Sequence, residues 1–445
     1  MRGLLEMRHS ARARHAFRAS SWSMAGYGST LVMRFTSRLI LAKVLTNASP
    51  MGDVAMVATI LSGLEMIADL GIGMNVVQHP RGQDRDFLGT AFAIQIARSV
   101  LLWAVAVAAA LPIAAAYHDK DLGPLLIFAS TSVLLRGFTN PRVYTLNRNM
   151  ELRWPTLLSA GSEIIGFGVT VTWALLHPSA WALVGGTVAS ALVFTLGSIL
   201  VGPFQRICWN RKFAAEIIRF GGWSILSTGT YFLASRGENF MLKGATPDVE
   251  FGCFAFASML VTTPVNAISQ LAGQVFFPMM SASVREGAES ADRRFRQAKI
   301  VFTLLATGLA AGSILLGPPA IKLLHLNSSY APLAWMIPFL GFRAAQDVYS
   351  FPATTVLLAS GAVRFSATAN VIRLLVLAGG LALVLHPYGL YGAMWVLVGA
   401  PILAYFALAP GLRRYVPGTL LLEAQTLLAF LGSAIVAALL AHHAA

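Results

Sequence analysis

Residues 22–46 read WSMAGYGSTLVMRFTSRLILAKVLT, and after a short connection residues 54–78 read VAMVATILSGLEMIADLGIGMNVVQ. Each stretch supplies the ~20 mostly apolar residues that a helix needs to cross a bilayer, where no water can satisfy exposed backbone groups. The pattern recurs along the chain and predicts an all-α polytopic membrane protein with thirteen spans. The predicted spans are 22–46, 54–78, 88–116, 122–146, 155–177, 181–204, 221–243, 250–280, 300–324, 332–358, 366–386, 390–412 and 418–440.

The distribution of Lys and Arg predicts how these spans are oriented. Basic residues concentrate in the N-terminal tail and in the connections after even-numbered spans, whereas the opposite side holds only Lys120 and Lys322. Because basic loops stay in the cytoplasm, we predict a cytoplasmic N-terminus. This bias accounts for most of the net charge of +14, and the basic loops can also contact membrane lipids. The charge therefore does not indicate nucleic-acid binding.

Two echoes in the sequence indicate an internal repeat. The stretch around Gly52 resembles the stretch around Gly252, and the tripeptide Leu-His-Pro at 176–178 recurs at 385–387. Each echo steps forward by six spans, which predicts two parallel-repeat six-helix bundles around a central cavity. The predicted segments are a basic cytoplasmic tail (1–21), a first six-helix bundle (22–204), an amphipathic cytoplasmic linker (205–220), a second six-helix bundle (221–412) and an extra C-terminal helix (413–445).

Ionisable side chains inside the first hairpin indicate function, since each costs ~2.5–3.5 kcal/mol at the centre of a span. The first span contains Arg34 and Arg38, and the second contains Glu65 and Asp69, each pair four residues apart on one helix face. In an antiparallel hairpin, the residue numbers of two facing residues always add up to the same value, the index sum. Arg38–Glu65 and Arg34–Asp69 share one index sum, so we predict that these residues pair. These pairs either staple two helices or face a cavity where an anionic substrate competes for the arginines.

The second half of the chain carries similar charges. Arg236 and Glu238 lie in span 221–243, and Arg343 and Asp347 lie in span 332–358. The candidate substrate-binding cations are Arg34, Arg38, Arg236 and Arg343. The candidate charge partners or ion-coupling sites are Glu65, Asp69, Glu238 and Asp347. Three other arginines lie near cytoplasmic span ends, where we expect their side chains to snorkel to the interface: Arg98, Arg136 and Arg373.

Uncharged polar side chains mark one face of span 250–280. Asn266, Gln270 and Gln274 recur at helical spacing, so they either line a path suited to sugars or hydrogen-bond to neighbouring helices. All nine histidines lie in termini or near span ends, and the sequence contains neither a phosphate-loop, a zinc-protease nor a nucleophile-elbow motif. We therefore predict no catalytic site, no metal site and no cofactor, and a protein that is not an enzyme.

The stretch RLILAKVLT from Arg38 to Thr46, followed by Gly52 and by ADLGIG from Ala68 to Gly73, resembles the opening hairpin of bacterial polysaccharide transporters. These are the Wzx-type flippases of the multidrug/oligosaccharidyl-lipid/polysaccharide exporter superfamily. The resemblance implies two bundles that open alternately and move an undecaprenyl-pyrophosphate-linked oligosaccharide from the cytoplasmic to the outer leaflet of the inner membrane. Arginine suits this cargo because its planar fork binds phosphate oxygens. Many members have twelve spans, so the thirteenth is a departure.

Other interpretations stay open at this point. A lipid II flippase would carry the same pyrophosphate, a drug or metabolite antiporter would favour an acidic cavity, and a glycan-assembly enzyme would need histidines inside the membrane or long external loops. The resemblance implies a lipid-linked oligosaccharide and membrane lipids as partners, with a polysaccharide polymerase and glycosyltransferases as further candidates. A proton or a sodium ion is the candidate coupling ion. The sequence identifies neither the sugar nor this ion.

Overall fold

The computed structural model of the chain is predominantly helical over the residues that it describes, which are 26, 28–45, 47–67, 72–149, 151, 153–200 and 205–444. Two single-turn 3-10 helices, Ser328–Tyr330 and Pro417–Thr419, lie in connections. The α-helices are α1 (28–44), α2 (Ser49–Ile67), α3 (Ile72–Gln78), α4 (Arg85–Ala116), α5 (Leu122–Gly137), α6 (Arg142–Arg148), α7 (Arg153–Leu176), α8 (Ala180–Leu200), α9 (Arg211–Ala245), α10 (Asp248–Glu286), α11 (Ala288–Leu315), α12 (Gly317–Leu323), α13 (Leu333–Ala359), α14 (Val363–Phe406), α15 (Ala409–Tyr415) and α16 (Leu420–Ala444).

Each predicted span coincides with one of these helices or with a consecutive pair, except that two spans share α14. Within the described residues, six helical stretches are long and apolar enough to cross a membrane by length and composition. They are Arg85–Ala116, Arg153–Leu176, Ala180–Leu200, Asp248–Gln270, Ala288–Leu315 and Val363–Tyr415. The prediction of an all-α polytopic fold is therefore confirmed.

Predicted span 122–146 is interrupted where α5 ends at Gly137. The last carbonyls of a helix lack intrahelical donors. Here the side-chain amide of Gln95, on α4, donates to the carbonyls of Gly137 and Thr139, both at 3.0 Å. Pro141 follows and has no backbone N–H to continue the helix, so α6 begins as a separate short helix at Arg142.

Helix α14 contains the two predicted spans 366–386 and 390–412, and it bends between them. Gly389 has φ 56° and ψ −148°, a backbone conformation that residues with a Cβ rarely adopt. Pro387, two residues earlier, lacks the amide hydrogen that the helical ladder requires. The Leu-His-Pro tripeptide therefore marks a real break in the helix, as its position in the sequence predicted.

The chain divides into two compact units. Unit 1 comprises Met1–Leu45 and Val57–Gly229, and unit 2 comprises Thr46–Met56 and Thr230–Ala445. The first turns of α2 thus belong to unit 2, although the sequence places them in the first half of the chain. Helix α9 likewise begins in unit 1 and ends in unit 2.

The predicted amphipathic linker 205–220 is helical only from Arg211 onward. The Asn210 side chain accepts a hydrogen bond from the amide of Lys212 at 3.0 Å, which is the geometry of a residue that caps a helix start. Trp209 precedes α9 and is 61% exposed. The prediction of a linker helix that begins at residue 205 is therefore wrong, because the cap sets the start of α9.

From Arg211 the predicted amphipathic pattern is present. Phe213 and Ile217 are buried, whereas Arg211 and Lys212 are exposed. The two apolar side chains join a core cluster of unit 1 that also contains Ile72, Val76, Phe87, Leu88, Ala91, Ile94 and Ala214. The linker is thus the first part of a long helix that packs on the ends of α3 and α4.

In unit 2 the first turns of α2 lie directly against α10. A Cβ on Gly52 would approach the backbone nitrogen of Gly252 to 3.2 Å, and a Cβ on Gly252 would approach the carbonyl oxygen of Ala48 to 2.0 Å. The two glycines that echo each other in the sequence therefore allow direct backbone contact. Beside them the buried Lys243 donates to Asp53 at 2.9 Å and to Asp248 at 2.8 Å.

We expect Gly252→Ala to destabilise the protein by about 1–3 kcal/mol, because the added methyl group meets backbone that cannot move aside cheaply. The midpoint of thermal unfolding of detergent-purified protein measures the effect. Gly273→Ala is the matched control on the same helix, since a Cβ there meets nothing within 4 Å and alanine favours helix. Equal midpoints for the two variants would contradict the close contact.

Candidate functional site

In unit 1, the candidate arginine Arg34 is paired with a carboxylate that the index-sum rule did not predict. Arg34 of α1 forms a two-point contact with Glu163 of α7, with Nη2 to Oε1 at 2.5 Å and Nε to Oε2 at 3.2 Å. The predicted partner Asp69 lies outside the described residues, so the pair Arg34–Asp69 stays a prediction. Arg34 nevertheless has a carboxylate partner on another helix of unit 1.

The second predicted pair, Arg38–Glu65, also stays a prediction. Both residues are half-buried, on α1 and α2 respectively. Arg98, expected to snorkel toward the interface, instead donates from Nη2 to the carbonyl oxygen of Glu65 at 2.9 Å. The end of α2 is therefore tied to α4 by an arginine that the sequence assigned to the membrane surface.

Unit 2 brings together four of its charged side chains as two cross-helix pairs. Arg343 of α13 contacts Glu238 of α9, with Nη2 to Oε1 at 2.6 Å. One turn further along α13, Asp347 contacts Arg373 of α14, with Oδ1 to Nη1 at 3.0 Å. The arginine side chains are only 12% and 15% exposed. The expectation that Arg373 snorkels is wrong, because its guanidinium binds a carboxylate within the unit.

Several buried polar atoms beside these pairs have no hydrogen-bond partner within the described part of the chain. They are Oε2 of Glu238, Nε of Arg373 and both amide atoms of Gln346. Leaving such atoms unsatisfied is costly in a protein interior. These atoms therefore leave hydrogen-bonding capacity unused in the interior of unit 2.

Three further candidate residues are exposed on unit 2. Arg236 is exposed on α9 and has no ion-pair partner among the residues that the structure describes. Asn266 and Gln270 are exposed one helical turn apart on α10, while the side chain of Gln274 lies outside the described residues. The predicted roles of Arg236 as a cargo-binding cation and of the polar stripe as a sugar path stay predictions.

Chemically, the paired arginines are suited to contact anionic groups. Each guanidinium has several N–H donors, and each contacts a carboxylate. A single cation in a membrane interior without such a partner would be costly. The carboxylates therefore balance the charge of these arginines. Across the described residues, no cluster of His, Cys, Asp or Glu has the geometry of a metal site.

Comparisons with known proteins give a consistent result. The profile of a family described as polysaccharide biosynthesis protein matches residues 40–333. Over 352 residues the chain is 23% identical to the succinoglycan biosynthesis transport protein ExoT of Rhizobium meliloti (strain 1021), covering 78% of this chain and 69% of that protein.

Solved structures match the fold over most of the chain. The lipid II flippase MurJ in an inward closed conformation gives a TM-score of 0.72 at 13% identity, covering 95% of this chain and 97% of the flippase. An inward-facing multidrug resistance MATE family transporter of the MOP superfamily gives 0.66 at 16% identity, covering 86% and 92%. The resemblance to this exporter superfamily is confirmed.

Proposed function

The chain belongs to the polysaccharide biosynthesis protein family, and from this membership and its paired arginines we propose that it flips undecaprenyl-pyrophosphate-linked oligosaccharide units. It is a multi-pass membrane transporter of the flippase type rather than an enzyme, since its family and fold are those of transporters. The proposed direction is from the cytoplasmic to the outer leaflet of the bacterial inner membrane, with the N-terminus in the cytoplasm.

The observation that carries this proposal is the same in both units. In each unit an arginine contacts a carboxylate on another helix, Arg34 with Glu163 and Arg343 with Glu238. A pyrophosphate carries more charge and more acceptor oxygens than a carboxylate, so it competes well for a guanidinium fork. A cationic drug gains nothing from such sites. The arginines therefore favour an anionic cargo over a cationic one.

Two further arguments support the oligosaccharide cargo and its direction. A relative that covers 78% of this chain is named as a transport protein of succinoglycan biosynthesis, and succinoglycan is a polysaccharide. Outward movement of net negative charge is favoured by ~2.3 kcal/mol per charge per 100 mV when the cell interior is negative. When cargo displaces a carboxylate from its arginine, the released carboxylate also offers a site for a coupling proton. A sodium ion is the alternative coupling ion. A polysaccharide polymerase and glycosyltransferases are the proposed partners.

Leaflet location of the lipid-linked intermediate tests the proposal. In cells that lack the gene, we expect undecaprenyl-pyrophosphate-linked oligosaccharide to accumulate in the cytoplasmic leaflet and surface polysaccharide to fall several-fold. Re-expression of the wild-type chain should reverse both. If lipid II accumulates instead, the protein is a lipid II flippase. If both lipids stay at normal levels and drug sensitivity changes, the protein is an antiporter.

A further inference from the structure

A second charged cluster lies in unit 2, away from the paired arginines. Its centre is Lys299 of α11, which the sequence placed in a cytoplasmic connection but which is fully buried. The ammonium group contacts Oε2 of Glu423 at 2.9 Å and donates to the hydroxyl of Tyr405 at 2.7 Å and to the carbonyl of Tyr349 at 3.3 Å. It also lies 3.5 Å from the centre of the Tyr349 ring.

These contacts join four helices through one side chain. Glu423 is on α16, Tyr405 on α14 and Tyr349 on α13, and the hydroxyl of Tyr405 donates in turn to Glu423. An ammonium group has three hydrogens, and here each has an acceptor on a different helix. Lys299 is therefore fully hydrogen-bonded, and its charge is balanced by the carboxylate of Glu423.

The 3-10 turn that leads into α16, the thirteenth predicted span, is attached to one face of α11. Asp292 accepts from the amide of Gly418 at 3.2 Å, and Arg296 donates to the Gly418 carbonyl at 2.5 Å. Together with Lys299 these residues follow positions i, i+4 and i+7 on α11. The C-terminal helix is thus an integral part of unit 2.

Helix α16 also contacts α13 through an aromatic stack. The ring of Phe430 lies between those of Phe342 and Tyr349, with centroid distances of 5.1 and 5.2 Å and nearly parallel planes. Phe342 and Tyr349 are seven residues apart and therefore share one face of α13. Helix α16 therefore contacts α13 at two positions that lie two helical turns apart.

The carbonyl that Lys299 binds lies at a weak point of α13. Pro352 has no N–H, so the carbonyl of Val348 loses its usual helical donor, and Tyr349 is the next residue. Neighbouring polar groups are what allow proline inside buried helices. The contacts of Lys299 therefore fix α13 near Pro352, and this helix also carries Arg343 and Asp347.

We propose that Lys299, held in place by Glu423 of the C-terminal helix, is a positioning residue for the Arg343–Glu238 pair. The inference rests on the proposed function in that this pair is taken to bind cargo. A buried ion pair alone is weak evidence for stability, since apolar replacements are often tolerated. If Lys299 only attached α16 to α11, its contacts with the carbonyl and ring of Tyr349 would not be needed. These contacts indicate that Lys299 also holds α13 in place.

The double variant Lys299→Met with Glu423→Gln tests this inference, because it removes the ion pair without leaving an unpaired buried charge. Thermal midpoints are measured for Glu238→Gln, Arg343→Gln and their combination, in the parent protein and in the double variant. We expect the interaction between positions 238 and 343 to fall by at least half in the double variant. The same cycle at Arg34 and Glu163, in unit 1, is the internal control and should not change.

These thermal measurements need no cargo, so they stand even if the proposed function fails in the leaflet assay. Lys299→Arg keeps the charge and the donors and should retain the full interaction. If the double variant does not accumulate, Phe430→Ala disturbs α13 with the charged cluster intact and should also weaken the interaction. An unchanged interaction in whichever variant folds would overturn the proposal and leave Lys299 as an attachment point for α16.

Discussion

Arg343→Glu is expected to remove most of the folded protein from the membrane. The change places two carboxylates face to face, because Glu238 is 5% exposed and cannot turn away. Breaking a buried ion pair in this manner costs about 3–5 kcal/mol, which is a large part of a typical free energy of unfolding. Adding Glu238→Arg restores opposite charges and should recover at least half of the loss. Fluorescence-detected size exclusion and the thermal midpoint measure both effects.

The Arg34–Glu163 pair provides a matched control for this exchange. Its geometry is similar, but the Arg34 side chain is 59% exposed and can move away from a like charge. Arg34→Glu should therefore cost about 1 kcal/mol or less. If the two single reversals reduce folded protein equally, burial does not distinguish the pairs, and the tight packing of Arg343 against Glu238 is not present in the protein.

Hydropathy predicted most of the fold because the membrane imposes a length on each helix and leaves little freedom in its backbone. The bend at Gly389 was visible as the boundary between two spans. Local caps were less visible. The start of α9 depends on the side chain of Asn210, and the end of α5 depends on Gln95, an amide from another helix. Contacts of this kind change boundaries without changing hydropathy.

The candidate site was predictable in its residue types but only partly in its pairing. Mid-span arginines and carboxylates stand out because each is costly in a membrane. An index sum can pair residues on consecutive antiparallel helices, but Glu238 and Arg343 lie on α9 and α13, separated by three other helices. Their contact depends on the packing order of unit 2. That order is not encoded in any local pattern.

Lys299 illustrates a different reason for failure. It lies just before the predicted span 300–324, so counting it as a cytoplasmic loop residue was natural. Helix α11 begins already at Ala288, and Glu423 reaches Lys299 from the C-terminal helix more than a hundred residues away. A lysine near a span end is usually solvated, and only its distant partner identifies this one as buried.

Arg236→Ala is expected to abolish most transport while leaving the amount of membrane protein unchanged. Arg236 is exposed, and the described residues offer it no ion-pair partner, so its removal leaves no buried charge behind. If it binds pyrophosphate, it contributes a charge-assisted hydrogen bond of about 1.5–3 kcal/mol. Each 1.4 kcal/mol is tenfold in affinity, so delivery at limiting substrate should fall about 10- to 100-fold.

Arg236→Lys and Arg136→Ala complete this test. Lysine keeps the charge but loses the planar fork, so it should restore transport only in part. Arg136 is also an exposed arginine, but it lies near the end of α5 that we predict to be cytoplasmic, and its removal should leave delivery normal. The measurement is again the leaflet location of lipid-linked oligosaccharide, at matched protein levels. Normal delivery by Arg236→Ala would remove this residue from the cargo path and restrict anion binding to the arginines that carboxylates already hold.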